Sequence, residues 1–310
     1  MQLEWLRTLV AVVETGGFTR AATELGLSQP TVSQQMAALE REAALPLFER
    51  LGRRSVPTEA ALILVERARV ALASVEDAGR TLEELRGLGR GSLRVGASTT
   101  PGVYMVPQWL GEFASRYPGV DVHLDIADTR DTEERLIRRR VDVAVVGEYE
   151  PGAGLVATPL GSDVLLPICA PGQADTRSLD SFLEQRFIAR EKGSSTRAVF
   201  ERWLRAKGLR LRSAMEVAST EAVKQVVAAG LGVSVVSGAT IQLELKAGVL
   251  ASPPTDGFPI SRRIDVVLQR GRRPMPTTVA FLSILLGPKG AASLGRAAAA
   301  LANREDQASE

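Results

Sequence analysis

Residues 18–40, FTRAATELGLSQPTVSQQMAALE, restrict the fold more than any other stretch of the chain. Ala21, Ala22 and Leu25 predict a short helix with one apolar face, and Gly26 ends it where a left-handed backbone suits glycine. Leu27 plugs the turn, Ser28 stands as N-cap of a second helix, and Pro30 falls in its first turn, where a missing N–H does no harm. Val32, Met36 and Leu39 recur at helical spacing, so one face of the second helix is buried. Gln29, Thr31, Ser33, Gln34 and Gln35 remain around its exposed N-terminal half. A face rich in amides and hydroxyls at a helix N-terminus is suited to reading base edges in a major groove. A plain helical hairpin with a solvated polar face shares these features, so the flanking sequence decides.

Upstream, Leu3, Leu6, Leu9, Val10 and Val13 form a helical stripe that closes a three-helix core. Downstream, Pro46 stops the second helix and Gly52 marks the tip of a short hairpin. Arg53 and Arg54 flank that tip and Arg50 lies on the ascending arm, the layout of a wing whose arginines clamp phosphates or enter a minor groove. Thr58 is an N-cap for the next helix, with Glu59 favourably placed in its first turn. Leu62, Val65, Ala68, Leu72, Val75, Gly79, Leu82 and Leu85 then step by threes and fours. One helix running to about residue 88 is about 45 Å long. Its narrow apolar seam calls for a partner helix, most simply the same helix of a second chain. Gly87, Gly89 and Gly91 mark a flexible joint after it.

These ninety residues resemble the LysR-type transcriptional regulators. The resemblance is carried by Phe18, Ala21, Ala22, Leu25, Ser28, Gln29, Pro30, Val32, Ser33, Gln35, Leu39, Glu40, Leu47, Phe48, Arg50, Pro57 and Thr58. Ala61 stands where the family often has glycine, and alanine is the better helix former. The resemblance implies a regulator and not an enzyme, bound to double-stranded DNA as a homodimer or homotetramer, with recognition helices in successive major grooves about 34 Å apart. On these grounds Ser28, Gln29, Pro30, Thr31, Ser33 and Gln34 are the expected base-reading residues, and Arg50, Arg53 and Arg54 the expected backbone contacts. RNA polymerase is a further candidate partner. A small-molecule effector is expected and no cofactor.

Composition is compatible with this. The length, 310 residues, exceeds one typical core, and a net charge of +2 is too small to support nucleic-acid binding by bulk electrostatics. Within residues 1–58, Arg7, Arg20, Arg41, Arg50, Arg53 and Arg54 are balanced by Glu4, Glu14, Glu24, Glu40, Glu42 and Glu49, so placement of charge matters more than its sum. Cys169 and His123 are the only residues of their kinds, which excludes a disulfide within the chain and a Cys/His zinc site, and no metal is expected. No signal peptide is evident and the longest clean apolar stretches, such as residues 141–146, are strand-sized. A cytoplasmic location without a membrane role is expected.

From Ser92 onward strand and helix signals alternate. Strands at 92–97, 120–127 and 141–147 alternate with helices at 101–117, broken or bent at Pro107, and 131–139. A second βαβ run covers 186–237, with crossover strands at 164–169 and 264–268 and a helix at 277–286. Two α/β lobes joined by two crossovers enclose a cleft, as in the type 2 periplasmic-binding-protein fold of LysR-type effector domains. The expected fold is therefore an all-α winged helix-turn-helix (1–58), a linker and dimerisation helix with hinge (59–90), and a bilobed α/β effector domain (91–290). Lobe I spans about 91–161 and 260–290, lobe II about 162–259, and a flexible tail occupies 291–310.

Ligands in open α/β units lie beyond the carboxyl ends of strands, where helix N-termini point. Ser98, Thr99 and Thr100 occupy such a position in lobe I, and Ser194, Ser195, Thr196 and Arg197 in lobe II, with Arg190 and Lys192 adjacent. Both segments suit a carboxylate or phosphate, so a small anionic metabolite is the expected effector. Thr129, Gly147, Glu148, Ser219 and Thr220 fall at further strand ends. Ser98 to Gly102 with Tyr104 and Pro107 resembles the LysR subgroup regulating carbon fixation or sulfur metabolism. The bilobed part alone also admits a solute-binding receptor or an enzyme using the same cleft, although it offers no evident acid/base pair.

Overall fold

Leu3–Thr15 (α1), Phe18–Leu25 (α2) and Gln29–Ala43 (α3) pack around Leu9, Val12, Ala21, Ala22, Val32, Met36 and Leu39. This computed structural model describes residues 1–51, 54–85, 91–150, 152, 154–173, 178–211 and 213–300, in two units, Met1–Leu82 and Glu83–Glu310. Gly26 takes the left-handed conformation at the end of α2 (φ 65°), and the Leu27 N–H returns to the Ala22 carbonyl at 2.9 Å. Leu27 itself is exposed and does not plug the turn. α3 ends at Ala43, before Pro46, on a left-handed Ala44. Phe48–Leu51 (β1) and Arg54–Pro57 (β2) form the antiparallel hairpin, with Arg50 opposite Ser55. Phe18 and Phe48 meet edge to face at 5.0 Å, joining α2 to the hairpin.

Glu59–Leu85 (α4) begins under Thr58, whose hydroxyl accepts the Ala61 N–H at 3.2 Å. Its seam has two fates. Val65, Ala68 and Leu72 are buried within their own unit, against Leu9 and Leu6 of α1. Leu62 (48 % exposed), Ile63, Val75 and Leu82 (65 % exposed) are left outside. The expected hinge at Gly87 and Gly89 lies outside the described residues.

In the second unit, Gly91–Ser98 (β3), Val120–Ala127 (β4) and Val143–Gly147 (β5) are parallel neighbours. Between them come Thr99–Tyr104 (α5), Val106–Arg116 (α6) and Thr129–Ile137 (α7). The helix expected over 101–117, broken or bent at Pro107, is broken: the interruption falls at Met105 (φ −123°, ψ −54°), and Pro107 sits in the first turn of α6. Leu155–Ile168 (β6) and Ile260–Gln269 (β10) are longer than the short crossover strands expected. β10 pairs antiparallel along its whole length with residues 155–165 of β6, and both strands pass through both lobes, so one sheet of order β4-β3-β5-β10-β6-β9 is shared. The register slips between Ile264 and Asp265, where Leu160 is the extra residue and the sheet passes from one lobe to the other. Residues 260–263 thus pair with the lobe II half of β6, and the return into lobe I starts at Ile264 rather than at 260.

Lobe II contains Leu179–Glu184 (α8), Phe187–Arg190 (β7), Ser195–Ala206 (α9), Ser213–Val217 (β8), Thr220–Ala228 (α10), Ser234–Ser237 (β9) and Gln242–Ala247 (α11). Its core is aromatic, with Phe182, Phe187, Phe200, Trp203 and Phe258 in mutual ring contact. Pro276–Ala299 (α12) returns to lobe I and kinks at Gly287 (φ 71°, ψ 166°). Ala291, Leu294 and Ala298 are buried in the lobe I core, so 291–299 is packed helix and not flexible tail, while 301–310 lie outside the described residues. By length and composition α12 is apolar enough to cross a bilayer, contrary to the expectation of strand-sized apolar stretches only. Its kink and its contacts with Val106, Phe113 and Leu93 belong to a core helix.

Candidate functional site

The head presents a small polar lattice. Ser28 Oγ accepts the Thr31 N–H at 3.2 Å and lies 2.7 Å from Thr31 Oγ1, and Gln29 Nε2 donates to Ser33 Oγ at 3.1 Å. These bonds fix short side chains at the α3 N-terminus, and Gln29, Pro30 and Gln34 are exposed beside them. Gln35 does not join that face: its Oε1 accepts the buried Thr8 hydroxyl at 2.5 Å and locks α3 to α1. Glu40 has a role that sequence reasoning missed. Its Oε1 accepts the Leu47 and Phe48 N–H groups at 2.8 and 3.1 Å, anchoring the wing to α3. Arg50 and Arg54 are hairpin residues, and Arg53 lies outside the described residues.

In the second unit a cleft between the lobes is lined by Ser98, Thr99, Thr100, Asp128 and Thr129 from lobe I and by Arg190, Ser194, Ser195 and Thr196 from lobe II. As it stands its free volume is about 10 Å³, room for about one water. Ser98 ends β3, and its hydroxyl accepts the Gly147 N–H at 3.2 Å. Thr99 donates to the Ala127 carbonyl at 3.4 Å, and the Thr129 hydroxyl is buried without a hydrogen bond among the described residues. Gly147 backs the lobe contact: a methyl group there would stand 2.7 Å from Ser195 Oγ and 3.2 Å from an Arg262 nitrogen.

Two buried arginines support the lobe II wall. Arg190 forks onto Glu191 at 2.7 and 2.6 Å and donates to the Thr220 hydroxyl. Arg262, 2 % exposed, donates to Asp163 at 2.8 Å and to Thr196 Oγ1 at 2.9 Å, and reaches Ser195 Oγ at 3.4 Å. Asp163 also accepts the Ser237 hydroxyl at 3.0 Å. Burial pulls the Arg262 guanidinium below its ordinary pKa, and the Asp163 carboxylate opposes that shift.

Three expected site residues stand elsewhere. Arg197 is held outside the cleft by Glu201 at 2.7 Å, Glu216 at 2.6 Å and the Arg190 carbonyl at 2.7 Å. Glu148 pairs with Arg202 of α9, a tie between the lobes. Thr220 supports Arg190 from behind the cleft wall. Asp128, Asp163 and Arg262 are additions. Arg262 was signalled by alternation: Ile260, Arg262 and Ile264 share the buried face of β10, so a charge occupies an apolar register position.

Residues 3–62 match the family "Bacterial regulatory helix-turn-helix protein, lysR family" and residues 86–287 match "LysR substrate binding domain". The RuBisCO operon transcriptional regulator of Allochromatium vinosum is 37 % identical over 290 residues, 92 % of this chain and 96 % of that protein. The HTH-type transcriptional activator CmpR of Synechocystis is 32 % identical over 298 residues, 95 % and 98 % of the two chains. Among solved structures, the LysR family regulator CbnR superposes with TM-score 0.69 at 20 % identity, over 92 % of this chain and 98 % of that one. The CcmR regulatory domain of Synechocystis, determined in complex with 2-PG, is 30 % identical with TM-score 0.59, over 64 % and 96 %.

Proposed function

This chain belongs to the LysR family of transcriptional regulators, and we propose that a small anionic metabolite bound between its two lobes controls its action on DNA. It is a sequence-specific DNA-binding transcriptional regulator with an effector-binding C-terminal domain, and not an enzyme. The observation that carries the effector reading is the convergence of Ser98, Thr99 and Thr100 with Ser194, Ser195 and Thr196 around Arg190 in one cleft. Hydroxyls and a guanidinium are donors, and donors recognise oxyanions. That a relative's regulatory domain was determined in complex with 2-PG supports a ligand site in the matched region.

Ser28, Gln29, Pro30, Thr31, Ser33 and Gln34 read base edges, while Arg50, Arg53 and Arg54 contact the backbone. Replacing Gln29 or Gln34 by Ala reduces discrimination among duplexes; replacing Arg53 and Arg54 weakens all duplexes and lowers the salt slope. Mobility-shift titrations in which both pairs behave alike contradict this division. The exposed Leu62, Ile63, Val75 and Leu82 favour pairing of α4 with a second copy, giving a dimer and, through the second units, a tetramer. The protein acts in the cytoplasm, where RNA polymerase is the further partner, and no membrane takes part. The RuBisCO regulators among its relatives favour a role in carbon fixation.

A thermal-shift screen of small anionic metabolites tests the cleft. At least one anion stabilises the full-length protein, and the gain is lost in Ser98→Ala and Thr196→Ala. No stabilisation by any anion, or the same gain in both variants, contradicts the proposal.

A further inference from the structure

The cations at the cleft are already neutralised. Arg190 is forked by Glu191, and Arg262 is held by Asp163. One carboxylate on the lining has no ion pair among the described residues. Asp128 ends the β4 connection as N-cap of α7, and its Oδ1 accepts the Asp131 N–H at 2.8 Å. Its Oδ2 turns across the cleft toward Gly193 of lobe II, where a Cβ would stand 3.2 Å from it. Gly193 also has φ +106°, a conformation that side-chain-bearing residues rarely adopt, so glycine keeps a Cβ from crowding Oδ2. An ionised carboxylate only accepts hydrogen bonds. The remaining lining is rich in donors: Ser98, Thr99, Thr100, Arg190, Ser194 and Thr196.

We propose that Asp128 is a specificity residue that makes the cleft select oxyanions carrying a proton or hydroxyl of their own, such as hydrogen phosphate or a phosphate monoester in its monoprotonated form. Such a ligand accepts from the hydroxyls and Arg190 while donating one hydrogen bond to Asp128 Oδ2. A fully ionised oxyanion of the same size has nothing to donate, and its oxygen meets the carboxylate directly. This rests on the reading of the cleft as an anion site. It adds a rule of discrimination: the charge of the ligand is less decisive than whether it brings a donor.

Hydrogen phosphate and sulfate isolate the effect, because above neutral pH they match in shape and in double charge and differ in one O–H. With the purified full-length protein, calorimetric titration at constant ionic strength gives phosphate an affinity roughly tenfold or more above that of sulfate, the loss expected when a half-buried carboxylate faces no donor. Asp128→Asn keeps the helix cap, since asparagine caps as well as aspartate, and its amide donates to sulfate. In that variant the ratio falls to about threefold or less, chiefly through a gain by sulfate. Ser194→Ala, whose hydroxyl lines the cleft without capping α9, weakens both ions and shows that binding is in the cleft and not at the wing arginines. Equal affinities in the wild type, or a ratio unchanged in Asp128→Asn, overturns the role of Asp128. If both ions bind equally and both are weakened by Ser194→Ala, the anion site stands and only this inference fails. If neither ion binds the wild type, or binding is indifferent to Ser194→Ala, both fall.

Discussion

Lys224 Nζ stands 3.2 Å from Tyr104 Oη, joining α10 of lobe II to the C-terminal end of α5 of lobe I outside the cleft. Glu221 also bonds the Tyr104 hydroxyl. Lys224 is 2 % exposed, spends its other two donors on the Thr240 carbonyl at 2.8 Å and Glu244 at 2.6 Å, and is ion-paired with Glu221 at 2.8 Å. α5 begins at the cleft with Thr99 and Thr100, and α10 begins behind its wall at Thr220, which holds Arg190. Short helices therefore connect the cleft wall to this tie.

Tyr104→Phe removes the tie between the lobes and keeps the ring over Lys224. It lowers stability by about 1 kcal/mol in urea unfolding. The pH dependence has a definite sign. Burial raises the Glu221 carboxyl, but its bonds to Lys224 and Tyr104 outweigh that and leave it below the ordinary value. A carboxyl depressed in the folded state contributes stability above its unfolded pKa and loses it as pH falls through the folded one. The wild type therefore outlasts Tyr104→Phe at neutral pH, and the difference narrows as pH falls below the ordinary carboxylate range. Lys224 shifts the other way. Burial lowers it, and Glu221, Glu244 and Tyr104 together raise it above its ordinary value. Its contribution is present below the unfolded value and is lost only in strong alkali.

Gly147→Ala drives a methyl group to 2.7 Å from Ser195 Oγ at the lobe contact. Overpacking of this kind costs about 1–3 kcal/mol, read as a lower Tm, and weakens anion binding because the lobes are wedged apart. Adding Ser195→Ala removes the clashing atom and restores part of both. A Gly147→Ala variant as stable as wild type contradicts the tight contact.

Asp163→Asn leaves the Arg262 guanidinium buried without its counter-charge, and costs about 3–5 kcal/mol. The double variant Asp163→Leu, Arg262→Met recovers most of that stability in denaturant unfolding but not anion binding, because Ser195 and Thr196 lose the group that orients them.

Glu40→Ala frees the Leu47 and Phe48 N–H groups from the carboxylate that anchors the wing. DNA affinity falls by tenfold or more in anisotropy titrations, roughly the loss of one or two charge-assisted bonds that position the wing arginines. Anion binding in the second unit is unchanged.

The head was legible because its signals are local. Gly26, Ser28, Pro30 and the spacing of Val32, Met36 and Leu39 each specify backbone or burial within a few residues, and the structure repeats them. The βαβ order was legible for the same reason. What escaped was long-range. The two crossing strands run farther than their apolar stretches, because hydrogen bonding between β6 and β10 carries polar residues such as Ser162 and Arg263. Ala291, Leu294 and Ala298 looked like a loose alanine-rich tail, but a left-handed Gly287 redirects the helix onto lobe I instead of ending it. At the cleft, hydroxyls at strand ends were visible, whereas Asp163 and Arg262 meet across 99 residues of sequence. Arg197 misled because its neighbours Ser195 and Thr196 face the cleft while it lies on the side of α9 that meets Glu201 and Glu216.

Control of DNA binding through the cleft is tested most directly with a duplex selected by the full-length protein from a random pool, and the anion that most raises its Tm. A ligand acts on DNA binding only if it favours one of two states. Adding the anion to wild type therefore changes the affinity or the length of the protected footprint. Ser98→Ala binds the duplex like wild type in the absence of the anion and shows no change when it is added. A stabilising anion that leaves wild-type DNA binding untouched, or an anion-dependent change that survives in Ser98→Ala, contradicts control through the cleft.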